Sequence, residues 1–225
     1  MSSPKNCSRL SSITSAKTRP TPCVCVRIPT SSRCITTCKN RSRFFRQFVN
    51  NGHTANACST RLTGTIVQIS ISGGGVPKRP VMEAVLTPLG IEGDGHAHPE
   101  IHGGPQQAVL LMTAESIDQL VKRGYPVFHG AMGENLTTLG LDRRLLRTGQ
   151  RYRVGSAVIE LTKLRAPCAT QDIYGPEIKR EIYDKQVRDG DHTSPRWALG
   201  GFYAAVVQAG LVRVGDEIML ESEMA

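Results

Sequence analysis

The chain has 225 residues, with 28 Lys or Arg against 19 Asp or Glu, and a formal net charge of +9. The charge is uneven: residues 1–60 hold ten Lys or Arg and no acidic residue, which leaves eighteen basic and nineteen acidic residues in 61–225. A nucleic-acid-binding surface needs basic residues clustered on the folded part, so the near-neutral body argues against one. The length suffices for one domain, residues 61–225, with an appended leader, residues 1–60.

The leader is rich in Ser, Thr and Arg and poor in large apolar residues, so we expect it to be disordered. An Arg- and Ser-rich, acid-free composition is typical of mitochondrial or plastid transit peptides. Within it, "RSRFFRQFVN" (41–50) spaces apolar and basic residues as in a short amphipathic helix. The alternative is an upstream extension without function, from a misjudged start codon, which would make the protein cytoplasmic. No apolar run reaches the roughly 18 residues that span a membrane.

Six of the seven cysteines precede residue 59, and Cys168 is the one cysteine of the body. The leader motifs "CVC" (23–25) and "CITTC" (34–38) could form a four-cysteine zinc site. Their irregular spacing favours unstructured cysteines instead. A single thiol excludes a disulfide framework in the body and indicates a reducing compartment.

The body begins with "TGTIVQISIS" (63–72), whose alternating Val67, Ile69 and Ile71 predict a strand ended by "GGGVPKRP". "AVLLM" (108–112) predicts a buried strand. "TAESIDQLVKRG" (113–124) predicts a helix, with Thr113 as its N-cap and Gly124 at its end.

Short strands separated by glycine turns follow this helix. Ala157, Ile159 and Leu161 alternate in "VGSAVIELTKLR", and Ile218 and Leu220 alternate in "VGDEIMLES". Many short strands with one or two helices favour a β-barrel or folded sheet over a doubly wound α/β fold. We therefore predict a mainly β fold with a few helices (α+β).

The first polar cluster is "GDGHAHPEIHGGP" (93–105). Its histidines, with Asp94, could ligate zinc as in metallohydrolases, although the downstream ligands that such enzymes use are scarce here. The alternative is a backbone role, in which Gly103 and Gly104 allow a sharp turn that presents N–H groups to an anion, beside His102. The histidines of the zinc hypothesis are His96, His98 and His102.

The second cluster, "GAMGENLTT" (130–138), places Glu134 and Asn135 between glycines and hydroxyl residues. A side-chain amide on a tight loop suits a planar heterocycle or a phosphate. An Asx-type turn that satisfies its own backbone explains the pattern equally well.

The third cluster, "TKLRAPCATQD" (162–172), follows the predicted strand "AVIELTKL" and presents Arg165 and Cys168 on a loop stiffened by Pro167. A nearby cation favours the thiolate, the form that binds metals or attacks sulfur. Lone cysteines are often inert buried hydrophobes, but a strand end beside arginine and proline is not a typical core position. We therefore favour a reactive or metal-ligating role for Cys168.

Four motifs, in order, resemble the MOSC family: "IEGDGHAHPEIHGGPQQAVLLM", "GAMGENLTT", "VGSAVIELTKLRAPC" and "GGFYAAVV" followed by "VRVGDEI". This family includes domains similar to the C-terminal part of molybdenum cofactor sulfurase, to amidoxime-reducing components and to YiiM-like bacterial proteins. The resemblance spans about residues 62–222, and it implies a MOSC-type β-barrel with short flanking helices.

The resemblance also implies roles for individual residues. Cys168 matches the cysteine of the R-x-P-C motif, which ligates molybdenum in some members and is proposed to carry sulfur in others, and Arg165 suits the cofactor's phosphate or the thiolate. Glu134 and His102 are candidate proton relays. The expected cofactor-binding residues are Lys78, His102, Gly103, Gly104, Gln107, Glu134, Asn135, Arg165, Cys168, Arg196, Gly201, Phe202 and Tyr203.

The implied cofactor is the molybdenum cofactor (Mo-molybdopterin), and family members are also associated with pyridoxal phosphate. The implied activity is reduction of N-hydroxylated small molecules such as hydroxylamino bases or amidoximes, with electrons from a partner. The sequence shows neither the helical tail of YiiM-like proteins nor the extra β domain of amidoxime-reducing components. The resemblance therefore does not imply that a fused or docked redox domain delivers the electrons. A separate electron-donor protein is a possible partner.

Two alternatives to the reductase hypothesis remain. In one, Cys168 carries a persulfide and the protein is a sulfur or cofactor carrier. In the other, the histidine loop binds zinc in a hydrolase. The set of pocket loops around the cysteine favours the reductase, because a carrier needs the thiol but less of a binding pocket.

Overall fold

The computed structural model describes residues 62–95 and 103–222, and the backbone of 26–27 and 34–35. The chain divides into two compact units, Met1–Asn56 and Ala57–Ala225. In the first unit, strands β1 (Val26–Arg27) and β2 (Cys34–Ile35) pair antiparallel. The predicted disorder, amphipathic helix, transit signal and cysteine sites of the leader otherwise lie outside the described residues.

The second unit is built on a closed seven-stranded β-barrel, which confirms the predicted fold class. The barrel strands are β3 (Thr63–Ile71), β7 (Val109–Thr113), β8 (Leu136–Leu139), β9 (Arg151–Val154), β10 (Ala157–Leu164), β11 (Phe202–Gln208) and β13 (Glu217–Ser222). They follow the order β13-β9-β10-β11-β7-β8-β3, and pairing between β13 and β3 closes the ring. All these neighbours are antiparallel except β7 and β8, which run parallel.

Shorter strands extend this framework. β4 (Arg79–Val81) pairs with β3. A separate three-stranded sheet consists of β5 (Glu83–Thr87), β6 (Gly90–Ile91) and β12 (Gly210–Arg213), in the order β12-β5-β6.

Helices connect some of the strands. The parallel pair needs a crossover, and α1 (Ala114–Lys122) supplies it between β7 and β8. Thr113 caps α1 as predicted, because its hydroxyl accepts a hydrogen bond from Ser116 N at 3.2 Å. Two short helices, α2 (Ile178–Ile182) and α3 (Lys185–Arg188), lie between β10 and β11, after a 3₁₀ helix at Ala169–Tyr174. Among residues 62–95 and 103–222, no helix has the length and apolar character to cross a bilayer.

The barrel interior is filled by alternate residues of the strands. Ala157, Ile159 and Leu161 of β10 are fully buried there, as their alternation predicts. In β3 the predicted alternation is wrong at its start: Ile66, and not Val67, is fully buried along with Ile69. A bulge between Ile66 and Gln68 inserts Val67 as an extra residue and so shifts the inward face by one position.

Strand β7 is buried on both faces, which explains its uninterrupted apolar sequence. Val109 and Leu111 point into the barrel core, whereas Met112 belongs to a second cluster outside the barrel wall. This outer cluster combines α1, the segment after it, α2 and Leu199. Its buried members are Met112, Ile117, Leu120, Val127, Ala131, Met132, Ile178, Ile182 and Leu199, with Tyr125, Tyr174 and Tyr183 packed against them.

Candidate functional site

A pocket opens on the outer face of the barrel wall. Leu110 of β7 and Tyr203 of β11 are direct partners in the sheet and both line it. Because neighbours along a strand point to opposite faces, these two side chains point away from the core that Leu111 and Phe202 fill. The predicted cofactor-binding residues that the pocket brings together are Lys78, Gly103, Gln107, Asn135, Arg165, Cys168 and Tyr203.

Asn135 joins three segments of the pocket wall. Its backbone N–H donates to Leu110 O at 2.8 Å, and its side-chain oxygen accepts from Leu110 N at 3.1 Å. Its side-chain N–H₂ group donates to Ser70 O at 3.2 Å and to Asp94 Oδ2 at 2.8 Å. The Asn135 amide therefore bridges three segments of the chain, a role that neither interpretation of "GAMGENLTT" predicted, since it forms no Asx-type turn and both of its ends are bonded within the protein.

Lys78 and Asp94 form a buried ion pair beside Asn135. The Lys78 ammonium donates to Asp94 Oδ2, and both side chains are almost entirely buried. Asp94 Oδ1 also accepts a hydrogen bond from Ser72 N at 2.8 Å. Burial lowers the pKa of Lys78, while the hydrogen bond and charge of Asp94 oppose that shift.

Glu134 lies behind the pocket wall and is completely buried. Its Oε1 accepts a hydrogen bond from Gly130 N, and Thr137 Oγ1 lies 3.4 Å away. Burial raises the pKa of Glu134 above its ordinary value, and the Gly130 N–H and the charge of Arg165 oppose the shift only in part. The prediction that Glu134 lines the pocket is not met, because its side chain turns inward and Gly133 lies at the surface of the pocket instead.

The thiol of Cys168 lies at the start of the 3₁₀ helix that follows β10. The Cys168 backbone N–H donates to Gln171 Oε1 at 3.0 Å, and the Gln171 backbone N–H donates to the Cys168 carbonyl oxygen at 3.2 Å. Sγ is 2.8 Å from Thr170 Oγ1 and 3.9 Å from Nη2 of Arg165. The thiol is free and half-buried, so it faces the pocket without being sealed in the core.

A backbone hydrogen bond holds Arg165 at the pocket, and its side chain is buried. Its N–H donates to Gly201 O at 3.0 Å, which extends the β10–β11 pairing by one residue. Only 5% of the residue is exposed, and Nη1 has no hydrogen-bond partner among the described residues. Burial raises the pKa of Tyr203, and Arg165 opposes that shift.

Several predicted residues lie elsewhere. Phe202 fills the barrel core, and Gly201 packs so closely on Leu111 that a Cβ would clash with its carbonyl. Gly104 precedes a 3₁₀ turn and does not line the pocket. Arg196 donates to Glu181 O at 3.0 Å and pairs with Asp184 at 3.4 Å, so its charge serves the loop between α2 and β11.

The zinc hypothesis rests mostly on residues outside the described ranges, since His96, His98 and His102 are not among them. Asp94, its fourth candidate ligand, is already bound to Lys78, Asn135 and Ser72. Within residues 62–95 and 103–222, no group of three or more His, Cys, Asp or Glu side chains is arranged to hold a metal ion.

Sequence reasoning missed some of the pocket. Thr170 stands in the quoted "RAPCATQD" stretch, but only the structure shows its hydroxyl against the thiol. The sequence suggested Asp94 only as a zinc ligand, whereas the structure pairs it with Lys78. The other lining residues lie in or beside the quoted motifs, but no site role was predicted for them: Gly75, Val76, Gly95, Leu110, Met132 and Gly133.

Fold, pocket and motifs together define a MOSC domain. The MOSC domain family model matches residues 98–219, more than half of the chain, and this protein belongs to that family. The family is associated with the molybdenum cofactor.

Two curated relatives match at the level of sequence. Protein YflK of Bacillus subtilis (strain 168) is 33% identical over 153 residues, which are 66% of this chain and 63% of YflK. Protein YiiM of Escherichia coli (strain K12) is 36% identical over 94 residues, 38% of this chain and 40% of YiiM. The chain thus spans less than two thirds of the length of either relative.

Solved structures share the fold. YiiM from Geobacillus stearothermophilus superposes with a TM-score of 0.55 at 24% identity, over 71% of this chain and 75% of that one. YiiM from Escherichia coli gives a TM-score of 0.53 at 23% identity, over 72% and 71%.

The pocket residues suit a molybdenum cofactor in their chemistry. A thiol is a soft donor once deprotonated. The unpartnered nitrogen of Arg165 leaves a buried donor ready for a phosphate or another anion. Lys78 adds a second buried cation, although Asp94 already compensates its charge. The side chains of Val76, Leu110 and Met132 give the same pocket an apolar side for a flat ring system.

Proposed function

We propose that this protein binds the molybdenum cofactor in the outer pocket and reduces N-hydroxylated small molecules. The observation that carries the proposal is the convergence of a free, half-buried thiol with a buried arginine that has an unpartnered nitrogen. Resemblance to reductases of the MOSC family supplies the reaction class.

Each pocket residue would have a distinct task. Cys168 would be the ligand to molybdenum. Arg165, and to a lesser degree the compensated Lys78, would hold the phosphate, while Gly103 and Gln107 contribute polar groups along the wall. Asn135 would hold that wall together, because its amide is bonded to Leu110, Ser70 and Asp94. The bound cofactor would supply a centre that exchanges two electrons.

The overall reaction consumes protons as well as electrons. An N-hydroxylated substrate takes up two electrons and two protons; the N–O bond breaks, an N–H bond forms and the oxygen leaves as water. The electrons must come from a donor protein or a chemical reductant. Burial raises the pKa of Glu134, which favours the protonated carboxyl that a proton donor needs. His102, which lies outside the described residues, stays a second candidate for this task.

The carrier hypothesis remains the second candidate. Its supporting observation is that the thiol is reachable from the pocket and that Thr170 Oγ1 lies 2.8 Å from Sγ, where it can donate to a charged sulfur. A persulfide on Cys168 would occupy the same space as a metal ion. The carrier therefore predicts sulfur transfer with no need of molybdenum.

The test is to purify the full chain from a host that makes molybdenum cofactor and to measure metal content beside Cys168→Ala and Cys168→Ser. We expect near-stoichiometric molybdenum in the parent and at least a tenfold loss in Cys168→Ala. Cys168→Ser should fall nearly as far, because a hydroxyl is a much harder ligand than a thiolate. Ser222→Ala, an exposed position on β13, is the control.

Activity is measured on a hydroxylaminopurine and on benzamidoxime, with reduced viologen as electron donor. Molybdenum retained in full by Cys168→Ala would overturn the ligand assignment. A molybdenum-free parent that carries a persulfide would establish the carrier, and zinc in all variants would revive the histidine loop.

A further inference from the structure

An exposed lysine lies at the rim of the pocket, on the strand that leads to Cys168. The ammonium nitrogen of Lys163, in β10, is 5.7 Å from the centre of the Tyr203 ring. Tyr203 lines the pocket, whereas Lys163 is exposed to solvent beside it. Within residues 62–95 and 103–222, Lys163 makes no ion pair. Its charge is therefore available to a ligand.

The strand geometry directs Lys163 and Arg165 to the same side of the barrel wall. Leu164, which lies between them, packs against the barrel core. Because neighbours along a strand point to opposite faces, the residues on either side of Leu164 point outward. Lys163 pairs directly with Tyr203, and Tyr203 pairs with Leu110. The outer face that carries the pocket thus continues across three strands, from Leu110 through Tyr203 to Lys163.

A bulge at Thr162 sets the position of the lysine. The pairing of β10 with β11 skips Thr162, so that Lys163 stands opposite Tyr203. The Thr162 hydroxyl lies 2.6 Å from Gln106 O and 3.1 Å from Tyr203 O. This contact holds the 3₁₀ turn that includes Gln107, a pocket residue, against β10 and β11. The lysine and the polar loop of the pocket are therefore joined through one hydroxyl.

The elements around Lys163 supply no free carboxylate. Strands β7 and β11 and the 3₁₀ turn Pro105–Gln107 contain no Asp or Glu. The one acidic residue of β10, Glu160, is bonded to Arg151 at 2.7 Å. Arg165 adds a second cation on the same face, and its Nη1 has no hydrogen-bond partner among the described residues. Like charges gathered on one face give a positive potential that attracts anions.

The two cations differ in depth, and this difference separates their tasks. Arg165 is only 5% exposed, so its guanidinium suits the phosphate of a cofactor that fills the pocket. Lys163 is exposed, so its ammonium meets a molecule that enters from solvent after the cofactor is in place. An ammonium on a flexible stem binds a carboxylate or a phosphate as a point charge.

We propose that Lys163, beside the Tyr203 ring, forms an outer subsite for a carboxylate or phosphate group of the substrate. The inference rests on the proposed function and narrows its substrate class: the protein prefers N-hydroxylated compounds that carry an acidic group over neutral ones. The phosphate of the cofactor is the other source of such an anion, and the experiment separates the two.

The test compares benzamidoxime with its 4-carboxy derivative, which adds one negative charge at neutral pH. The readout is the ratio of kcat/KM for the acid to kcat/KM for benzamidoxime, because a ratio cancels any general loss of activity. The molybdenum-loaded full chain is assayed with reduced viologen. Lys163→Met should lower this ratio about two- to fivefold, the range of an exposed ion pair. Lys163→Arg, which keeps the charge, should retain most of the preference.

The control variant is Lys122→Met, which should keep the parent's ratio. Lys122 is exposed near the end of α1, and no residue of α1 lines the pocket. Salt provides a second control. Between about 0.01 M and 1 M salt the Debye length falls from roughly 30 Å to 3 Å, so the parent's preference for the acid should shrink with salt more than that of Lys163→Met.

Equal ratios in the parent and Lys163→Met would overturn the subsite. Loss of molybdenum from Lys163→Met with an unchanged ratio would do so as well, because the ammonium would then hold the phosphate of the cofactor.

Calorimetric titration of both compounds without an electron donor tests the subsite apart from turnover. The parent should bind the acid more tightly than benzamidoxime, and Lys163→Met should lose most of that difference. If the parent shows this difference but reduces neither compound, the proposed function fails and the subsite stands. If the parent reduces both compounds but binds them equally, the proposed function stands and the subsite is refuted.

Discussion

Two buried cations and two buried carboxyls surround the pocket: Lys78 and Arg165 against Asp94 and Glu134. If all four were ionised, their charges would cancel. Burial disfavours the charged forms of both Glu134 and Lys78, because it raises the pKa of the carboxyl and lowers that of the ammonium. An anionic ligand bound beside these groups would raise the pKa of Glu134 further and would oppose the shift at Lys78.

The raised pKa of Glu134 predicts how stability depends on pH. Above the ordinary glutamate value, the folded state keeps a proton that the unfolded state has released, so the free energy of unfolding falls as pH rises towards the folded pKa. Glu134→Gln should lack this decline. We expect the urea midpoint of the parent to fall relative to that of Glu134→Gln as the pH rises from about 4.5. Above the pKa of Glu134 in the folded state, the difference between the two midpoints should stay constant. Parallel curves throughout would show that Glu134 titrates normally.

At the scale of elements, the turn at Gly130 organises the buried charges. Its carbonyl accepts from Lys78 N at 2.9 Å and its N–H donates to Glu134, so one residue contacts the segments that carry both groups. Its φ is +94°, and a Cβ would lie 2.4 Å from Lys78 O. Glycine is therefore required here for its conformation and for the close approach of another backbone.

Gly130→Ala should cost about 3 kcal/mol or more of unfolding free energy, because conformational strain and a backbone clash add. Gly124→Ala is the matched control: its φ of +92° is similar, but no atom lies within 4 Å of the added Cβ. It should cost only ~1 kcal/mol. Urea denaturation of both variants measures the difference. Equal losses would mean that the contact with Lys78 does not constrain the turn.

Helices and strands could be predicted from the sequence wherever neighbouring residues carry the pattern that specifies them. The helix after Thr113, the strand from Ala157 to Leu164 and the mainly β class follow from capping and periodicity. The bulge at Val67 could not be predicted, because an extra residue in a strand depends on its pairing with β8 and leaves no local mark.

The candidate site was predictable only in part, for a similar reason. The motifs pointed to Cys168, Arg165 and Asn135, which the fold brings to one pocket. They did not show that Glu134 turns inward while its neighbour Asn135 lies at the wall. That depends on the parallel pairing of β7 and β8, which sets Asn135 against Leu110.

At the scale of the whole molecule, the first and last barrel strands depend on each other. Ile218 of β13 pairs with Gly64 of β3 and is fully buried, whereas Met219 beside it is 37% exposed. Ile218→Ala should cost about 2–5 kcal/mol by the cavity it leaves, and Met219→Ala less than about 1 kcal/mol. The fluorescence of Trp197, the single tryptophan, which is buried in the barrel core, reports the transition. A small loss in Ile218→Ala would indicate that the barrel unfolds at β3 and β13 independently of the rest.

The pocket is assembled from positions as far apart in the chain as Val76, Gly103, Asn135, Cys168 and Tyr203. Because these residues meet only in the folded barrel, a ligand that contacts all of them binds the folded state and not the unfolded chain. By mass action, a ligand present at a hundred times its dissociation constant would therefore add about 2.7 kcal/mol to the stability of the whole barrel. Melting temperature thus becomes a general assay for this protein, able to rank candidate anions and pterins before any turnover is detected.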